Sequence, residues 1–321
     1  MKIKNYLNKI LVFYLPERAG YWNSLTPNTL VKCPTILGRY YLDYFSKIDY
    51  PGKFNQEGIP LFKHKAHADI EHPTVISHYA FGLFEKLYRE NYSNKNLLIK
   101  YLTLADWFDH HKVRIGNSYC WYIKIDYNPE YQLSNPWISA MAQGQAISVL
   151  TRASLLTGNQ KYESIANESL NIFQVDVKNG GLLNHFNSFP VFEECPTPNK
   201  PMVVLNGFIF ALFGLYDLYL LNRNEKAIYL FNEGMQSVKK LLRNFDTGKW
   251  TNYYLFDYPK NYHSSFTYHY LVTEQLMSLY FISGDKIFLE YSERWRGYSK
   301  SVLNRSLALV KKLTNSNKFY S

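Results

Sequence analysis

The stretch VLNGFIFALFGLYDLYL (204–220) would form a helix that is apolar on nearly every side, and a polar turn, NRNEKA (222–227), follows it. The next stretch, EKAIYLFNEGMQSVKKLLRN (225–244), carries its charges on one face. A helix that is apolar all round is buried, whereas a one-sided helix lies at the periphery of a domain. The two stretches therefore predict a helical hairpin with an inner and an outer helix.

The same hairpin pattern recurs along the chain. Comparable turns are NYSNKNL (91–97), TGNQKY (157–162) and SGDKIF (283–288), spaced about 60 to 65 residues apart. Repetition of a helical hairpin at one period is typical of an α/α toroid or solenoid. We predict a mainly α fold, an (α/α)4 barrel of four hairpins that forms a catalytic domain over residues 73–321.

The first 72 residues lack this pattern. They carry aromatic pairs, the turn signal Tyr50-Pro51-Gly52 and β-like stretches such as GRYYLDYF (38–45). Such features favour short hairpins and loops. We predict that residues 1–72 form a small N-terminal arm of β or irregular structure.

The connections that lead into the inner helices predict where a site would lie. If the inner helices run parallel, the long links 113–135, 176–203 and 246–265 share one rim, and the short turns lie opposite. Long connections in a compact domain are usually functional. The same rim collects the N-termini of the inner helices, which favour anions. We expect the functional site there.

Composition narrows the classes of partner and cofactor. The net charge of +10 suggests an anionic partner, but the basic residues are scattered and no nucleic-acid motif is present. We therefore expect an acidic polysaccharide and no nucleic acid. The three cysteines, Cys33, Cys120 and Cys195, are odd in number and far apart, which argues against a disulfide framework or a zinc site.

These features predict a cytoplasmic protein with no metal and no other cofactor. No segment approaches the roughly 18 apolar residues that cross a bilayer, so we expect no membrane span.

Three link segments contain acid/base candidates: FEECPTP (192–198), DTGKWTNYYLFD (246–257) and FTYHYLVTEQL (266–276). They carry Glu193 and Glu194, then Tyr253 and Tyr254, then Tyr268 and His269. Two adjacent glutamates usually lie on a solvent-exposed face, and a tyrosine near the start of a helix usually packs against neighbouring side chains. The residue types alone therefore leave catalysis and structure both open.

Several motifs, in order, resemble the glucuronyl C5-epimerase family. MAQGQAIS (141–148) within PWISAMAQGQAISVLTRA is the most specific, and the others support it in order and spacing: EGIPL (57–61), HPTVISHYAFG (72–82), FEECPTP before VLNGFIFALFGLYDL, DTG (246–248) and YHYLVTEQL (268–276). The resemblance runs from Glu57 to about Tyr298.

The resemblance implies a four-hairpin α/α barrel preceded by β-structure. It implies an isomerase that converts D-glucuronate to L-iduronate in heparan-type polymers without a nicotinamide cofactor. Glu194, Tyr253 and Tyr268 match the family's catalytic positions. The partner would be a glucuronate-containing polysaccharide or a lipid-linked oligosaccharide, and a homodimer is left open.

Further residues of the same motifs are predicted to bind substrate: Asn206, His269, Gln143, Gln145 and Trp137. The chain also departs from the family. Cys195 replaces a tyrosine, Phe256 replaces an arginine, and the β-sandwich of the animal enzymes is missing.

Three other functions stay open. A polysaccharide lyase would share the abstraction of the C5 proton. A glycoside hydrolase would need a second carboxylate across the scissile bond, from Glu193, Asp257 or Glu274. An inactive sugar-binding homologue would follow if Cys195 and Phe256 had broken the site.

Overall fold

The computed structural model describes residues 10–15, 21, 27–28, 35–63, 69–126, 131–256 and 262–315. Cys33 and Asp257 lie outside these residues. From residue 73 onward the α-helices are α1 (Pro73–Arg89), α2 (Lys95–His110), α3 (Ala140–Thr157), α4 (Gln160–Ser169), α5 (Leu205–Asn222), α6 (Glu225–Phe245), α7 (Phe266–Ser283), α8 (Lys286–Lys300) and α9 (Val302–Asn315). Four hairpins followed by one extra helix therefore make up the body of the chain.

The predicted turns join the helices of each hairpin. Side chains at the helix N-termini accept hydrogen bonds from the first turn, which satisfies donors that have no partner within the helix; in the outer helices these residues are Asn94, Asn159, Asn224 and Asp285. Gly158 and Gly284 end α3 and α7 with φ of 68° and 70°, a conformation that favours glycine. The spacing of these turns in the sequence therefore located the hairpins correctly.

The division into inner and outer helices is confirmed. Helices α3 and α5 are buried on nearly every face. The second helices of the hairpins, such as α6 and α8, bury one side only. Helix α3 packs against α1 and α5, and α5 packs against α7. The fold is thus the mainly α, four-hairpin toroid that the sequence predicts.

One end of the inner ring is closed by the segment 38–44. Arg152 of α3 donates to the carbonyl of Gly38 at 2.9 Å. Tyr40 stacks on Phe81 of α1 with ring centroids 3.8 Å apart. The hydroxyl of Tyr41 donates to Asp217 of α5 at 2.8 Å, and its carbonyl accepts from Ser278 of α7 at 3.1 Å. The segment therefore contacts all four inner helices.

The stretch GRYYLDYF (38–45) takes the irregular form, one of the two predicted for the arm, apart from an isolated antiparallel bridge between Leu42 and Asn28. These residues form irregular chain that leads into a 3₁₀ helix, Phe45–Ile48. The alternating aromatic residues there are buried against the ring instead of pairing as strands. The arm does contain one predicted hairpin, β1 (Leu61–Phe62) with β2 (Ile70–Glu71). A domain boundary at residue 72 stays a prediction.

Short hairpins occupy the links into the inner helices. Strands β3 (Val113–Ile115) and β4 (Ser118–Cys120) pair within the first link, and β5 (Leu183–Phe186) and β6 (Phe189–Phe192) pair within the second. Strand β7 (Val203–Val204) of the second link pairs with β8 (Tyr254–Leu255) of the third. We call the end of the barrel where these links meet the link rim. It lies opposite the end that segment 38–44 closes.

The expectation that no segment reaches the length of a membrane span is wrong for α5. In the described part of the chain, this one helix is long and apolar enough, with a mean hydropathy of 1.3 over Leu205–Asn222. However, 83% of it is buried inside the protein. A core helix of a folded domain passes the same test, and the position of α5 between α3 and α7 accounts for its composition.

Candidate active site

Glu193 organises the loop that precedes α5. Its carboxylate is fully buried and accepts hydrogen bonds from Asn184 Nδ2 at 2.8 Å, Thr197 N at 2.8 Å and Met202 N at 3.1 Å. Its backbone carbonyl accepts from the N–H of Ala140, the first residue of α3. Burial raises the pKa of Glu193 to about 7, although these hydrogen bonds lower it. Glu193 is therefore a structural group that ties two links together.

Glu194 points the other way and keeps part of its surface exposed. Burial raises the pKa of its carboxyl from 4.5 to about 7. Asn206 Nδ2, in the first turn of α5, donates to Glu194 Oε2 at 3.4 Å. The carboxyl also lies against Gly207, where an added Cβ would sit only 2.1 Å from Oε2. A glycine at 207 is needed for the carboxyl to occupy this place.

Tyr253 and Tyr268 lie side by side. Their ring centroids are 4.7 Å apart at an interplanar angle of 54°. Tyr253 precedes β8, and Tyr268 lies in the first turn of α7, where its N–H donates to the N-cap residue Ser265. Both rings are half-buried. The structure therefore brings two phenols from different parts of the chain to one place on the link rim.

Glu194 is linked through Asn206 to α7, the helix whose first turn carries Tyr268. Gln275 of α7 donates to the carbonyl of Asn206 at 3.0 Å, and Asn206 contacts Glu194. Gln275 lies on the same face of α7 as Tyr268, about 10 Å further along the helix axis. In addition, Cys195, next to Glu194, shares one apolar cluster with Tyr253. The three predicted catalytic residues therefore occupy one rim.

Two of the predicted binding residues belong to a polar layer inside the ring, below Glu194. Asn206 is 2% exposed, and its Oδ1 has no hydrogen-bond partner among the described residues. Gln145 is fully buried, with its Nε2 3.1 Å from His78 Nε2. Asn206 contacts Glu194 directly, whereas Gln145 contacts His78 inside the ring.

Two other predicted binding residues face the outer layer and not the interior of the ring. Gln143 Nε2 donates to the carbonyls of Tyr119 at 2.7 Å and Ser169 at 2.9 Å, so it joins α3 to the outer layer. His269 is fully buried and stacks on Trp250 at 3.8 Å. Its nitrogens lie 2.9 Å from Thr251 Oγ1 and 2.8 Å from the carbonyl of Trp295.

We therefore assign Gln143 and His269 structural roles in place of substrate binding. Burial lowers the pKa of His269 to about 3, so the ring is neutral. Because it anchors the first turn of α7, it fixes the position of the neighbouring Tyr268.

An apolar cluster, which we call the rim cluster, lines the link rim. Trp137 belongs to it and donates from its indole N–H to the carbonyl of Ile125 at 3.0 Å. Cys195 and Phe256, the two departures from the family motifs, are both buried in it. The Phe256 ring meets Tyr131 edge to face at 5.3 Å. The two departures are therefore accommodated by packing.

Sequence reasoning missed how much of the site depends on glycines. An added Cβ at Gly144 would lie 2.5 Å from Ala211 Cα, and one at Gly214 would lie 2.2 Å from the Gly144 carbonyl. Helices α3 and α5 thus touch backbone to backbone. Gly144, the central glycine of MAQGQAIS, is therefore a packing residue. The sequence signal for this contact was the presence of a second glycine, Gly214, on another inner helix.

A cavity of about 340 Å³ lies elsewhere, between the C-terminal ends of α5 and α7 and the outer helices α6 and α8. Tyr216, Phe231, Met235 and Phe288 line it, and Lys239 pairs with Asp285 at its edge at 2.6 Å. It contains none of the acid/base candidates. Within the described ranges no group of three or more His, Cys, Asp or Glu residues is placed to hold a metal ion.

Comparisons with known proteins agree with the motifs. Residues 116–297, more than half of the chain, match the family "D-glucuronyl C5-epimerase C-terminus". The uncharacterized protein MJ1128 of Methanocaldococcus jannaschii is 36% identical over 172 residues, which is 52% of this chain and 54% of that protein. D-glucuronyl C5-epimerase of Caenorhabditis elegans is 33% identical over 178 residues, 51% of this chain and 29% of the nematode protein.

The chain therefore spans about half of the first curated relative and less than a third of the second. Among solved structures, cellobiose 2-epimerase from Bacillus thermoamylovorans B4167 superposes with a TM-score of 0.58 at 12% identity. The superposition covers 93% of this chain and 87% of the other. At this identity the likeness supports the helical toroid alone.

Proposed function

Because the chain belongs to the D-glucuronyl C5-epimerase family, we propose that it is a uronate C5-epimerase that converts D-glucuronate residues of a glycan to L-iduronate. One observation carries the proposal. A partly exposed carboxyl with a pKa near 7, Glu194, shares the link rim with the paired phenols of Tyr253 and Tyr268. Inversion of a carbon that bears an acidic proton needs proton carriers on two faces.

The chemistry of the substrate explains why these groups fit. The C5–H bond of a uronate adjoins a carboxylate, so its removal builds negative charge on that carboxylate. General acid–base groups work best when their pKa lies near the working pH. Glu194, with a pKa of about 7, is present in both protonation states at neutral pH and serves as acid or base.

Tyrosine supplies the proton on the other face. A phenol has a reference pKa of about 10, so it is protonated at neutral pH and donates readily. Tyr268 is held by the capped first turn of α7, and Tyr253 packs against its ring at 4.7 Å. We assign Tyr268 the role of second proton carrier and Tyr253 that of its support. Substrate would be a glucuronate-containing polysaccharide or a lipid-linked oligosaccharide.

A glycoside hydrolase is disfavoured by the positions of the other carboxylates. Glu193 is buried and accepts three N–H donors. Glu274 accepts from Arg296 at 2.8 Å and from the N–H of Asn28 at 3.0 Å, so it is already neutralised. Asp257 lies outside the described residues. Neither described carboxylate offers Glu194 the partner across a glycosidic bond that hydrolysis requires.

The test is to incubate the purified chain with a polymer of alternating glucuronate and N-acetylglucosamine and to analyse the product by NMR. We expect L-iduronate signals at unchanged chain length. A lyase would release an unsaturated sugar that absorbs in the ultraviolet, and a hydrolase would shorten the chain. An unchanged glycan that nevertheless binds would indicate an inactive homologue.

A further inference from the structure

The C-terminal helix α9 lies beyond the part of the chain that matches the family, which ends at residue 297. It packs on the body of the protein through Ala308 and Leu309, in a cluster with Trp250 and Phe266. Trp250 precedes Tyr253, and Phe266 begins α7. Helix α9 is therefore attached to the two segments that carry the paired tyrosines.

Lys312 lies one turn after Ala308 and Leu309, on the same face of α9. Its Nζ is 5.7 Å from the centroid of the Tyr253 ring. The side chain is half-buried, so its methylene stem covers the neighbouring surface while the ammonium reaches the edge of the tyrosine pair. A cation is thereby held beside one of the groups to which we assign the chemistry.

The arginines near the start of α7 are held by other groups. Arg296 donates to Glu274 at 2.8 Å. Arg294 pairs with Asp246 at 3.4 Å. Arg305 donates to the carbonyl of Ser299 and lies over the Phe266 ring at 4.7 Å.

The histidine near Lys312 adds no charge that would compete with it. Burial, with the charges of Lys311 and Lys312, lowers the pKa of His263 to about 4, so this ring is neutral at working pH. The end of α9 therefore presents lysine charge, next to a neutral imidazole, towards the link rim. An anion that approaches Tyr253 and Tyr268 would meet this charge.

We propose that Lys312 binds the carboxylate of the substrate uronate at the link rim. The proposal rests on the proposed function, because it takes Tyr253 and Tyr268 to mark the position of C5. The carboxylate next to C5 gains negative charge as the proton leaves, and a cation beside it stabilises that state. Helix α9, which lies after the residues that match the family, would thus contribute a binding residue to the site.

A comparison of two probes tests this contact without relying on turnover. The first probe is a hexasaccharide of alternating glucuronate and N-acetylglucosamine. The second is the same hexasaccharide with its carboxyl groups reduced to alcohols. Both are titrated calorimetrically against the full chain carrying Glu194→Gln, so that the glycan is not converted. Lys312→Met is added to this parent, with Lys240→Met, an exposed lysine on outer helix α6, as the matched loss of charge.

We expect the parent to bind the acidic glycan about 10- to 100-fold more tightly than the reduced one, the range of a hydrogen-bonded charged pair. Lys312→Met should remove most of this ratio by weakening only the acidic probe, Lys312→Arg should restore part of it, and Lys240→Met should keep it. The proposal would be overturned if Lys312→Met kept the full affinity ratio or if it weakened the binding of both probes equally. It would also be overturned if the parent bound the two probes with the same affinity.

The outcome for the proposed function is read separately. If the wild-type chain forms iduronate and Lys312→Met keeps the ratio, the proposed function stands and the carboxylate contact fails. If Lys312→Met removes the ratio and the wild-type chain forms no iduronate, the contact stands and epimerisation fails.

Discussion

Two adjacent glutamates with the same pKa should respond in opposite ways to the same substitution. Burial raises the pKa of both Glu193 and Glu194 to about 7. Glu193 accepts three hydrogen bonds from N–H donors, whereas Glu194 meets Asn206 at 3.4 Å and remains partly exposed. We therefore expect Glu194→Gln to stabilise the protein in a pH-dependent way and Glu193→Gln to destabilise it.

The magnitude for Glu194 follows from its pKa shift. A rise from 4.5 to about 7, at about 1.36 kcal/mol per unit, has an upper limit of roughly 3 kcal/mol. Partial exposure reduces this, and we expect about 1–3 kcal/mol. The folded state binds this proton more tightly than the unfolded state. The free energy of unfolding therefore falls as pH rises from about 4.5 to about 7, and the full penalty applies above that range.

Removing the carboxyl should remove this penalty. At about pH 8, Glu194→Gln should raise the free energy of unfolding by about 1–3 kcal/mol. At about pH 4, where the carboxyl is neutral in both states, the variant should match the wild-type protein. At the same acidic pH, Glu193→Gln should lose about 1–3 kcal/mol, because the glutamine NH₂ cannot accept from the N–H groups that surround it.

Urea unfolding, followed by circular dichroism at about pH 4 and about pH 8, measures these differences. Equal stability of Glu194→Gln and wild type at both pH values would show that the carboxyl has an ordinary pKa. That result would remove the basis for its role as a proton carrier at neutral pH. A stable Glu193→Gln variant would refute the structural role of Glu193.

Three further substitutions test single contacts. Gly207→Ala should cost about 100-fold in turnover, as a misplaced catalytic group typically does, because its Cβ would lie 2.1 Å from Glu194 Oε2; unchanged turnover would contradict this placement. Arg152→Met should lower the free energy of unfolding by about 3–5 kcal/mol, because the buried carboxylate of Asp217 loses its 2.6 Å partner. Denaturant unfolding measures this loss. A small loss, or a double variant with Asp217→Leu that recovers none of the lost stability, would contradict the prediction. Cys195→Ala should retain most turnover, since its thiol is buried in the rim cluster, and a loss as large as that of Glu194→Gln would indicate thiol chemistry.

The hairpins were predictable because their signals are local. Each hairpin shows a polar turn with an N-cap residue, and its helices change from apolar on all sides to apolar on one side. Both signals lie within about 40 residues, and together they define the repeat. For the segment 38–45 the prediction left hairpin and loop open, because its alternating aromatic residues satisfy a strand pattern equally well. Its contacts with Phe81, Arg152 and Ser278 depend on the closed ring, which no local pattern contains.

The acid/base assignments of the site stay a prediction, whereas the orientation of the predicted binding residues follows from their position around each helix. Residues two apart on a helix point in nearly opposite directions, since each turns by about 100°. Gln143 and Gln145 could therefore not both face the ring, and the structure turns Gln143 outward. Likewise His269, one residue after Tyr268, faces Trp295 and the outer layer. A family motif contains both packing residues and candidate site residues. The direction in which each side chain points from the helix distinguishes the two kinds.

The contribution of helix α9 could not be predicted from the family motifs. Lys312 lies after the last of them, and nothing in its local sequence relates it to Tyr253. Their proximity follows from the packing of Ala308 and Leu309 against Trp250 and Phe266. Such contacts between distant parts of a chain become visible only when the fold is assembled.

The most direct test of the account is turnover of the glucuronate polymer in heavy water, with deuterium at C5 measured by NMR. If Glu194 and Tyr268 carry protons on opposite faces, the iduronate formed should carry deuterium at C5, because both groups exchange with solvent. Glu194→Gln and Tyr268→Phe should each lose inversion by about 10²- to 10⁴-fold, and one of them should still exchange deuterium into unreacted glucuronate. Iduronate that forms in heavy water with protium at C5 would contradict the two-carrier mechanism.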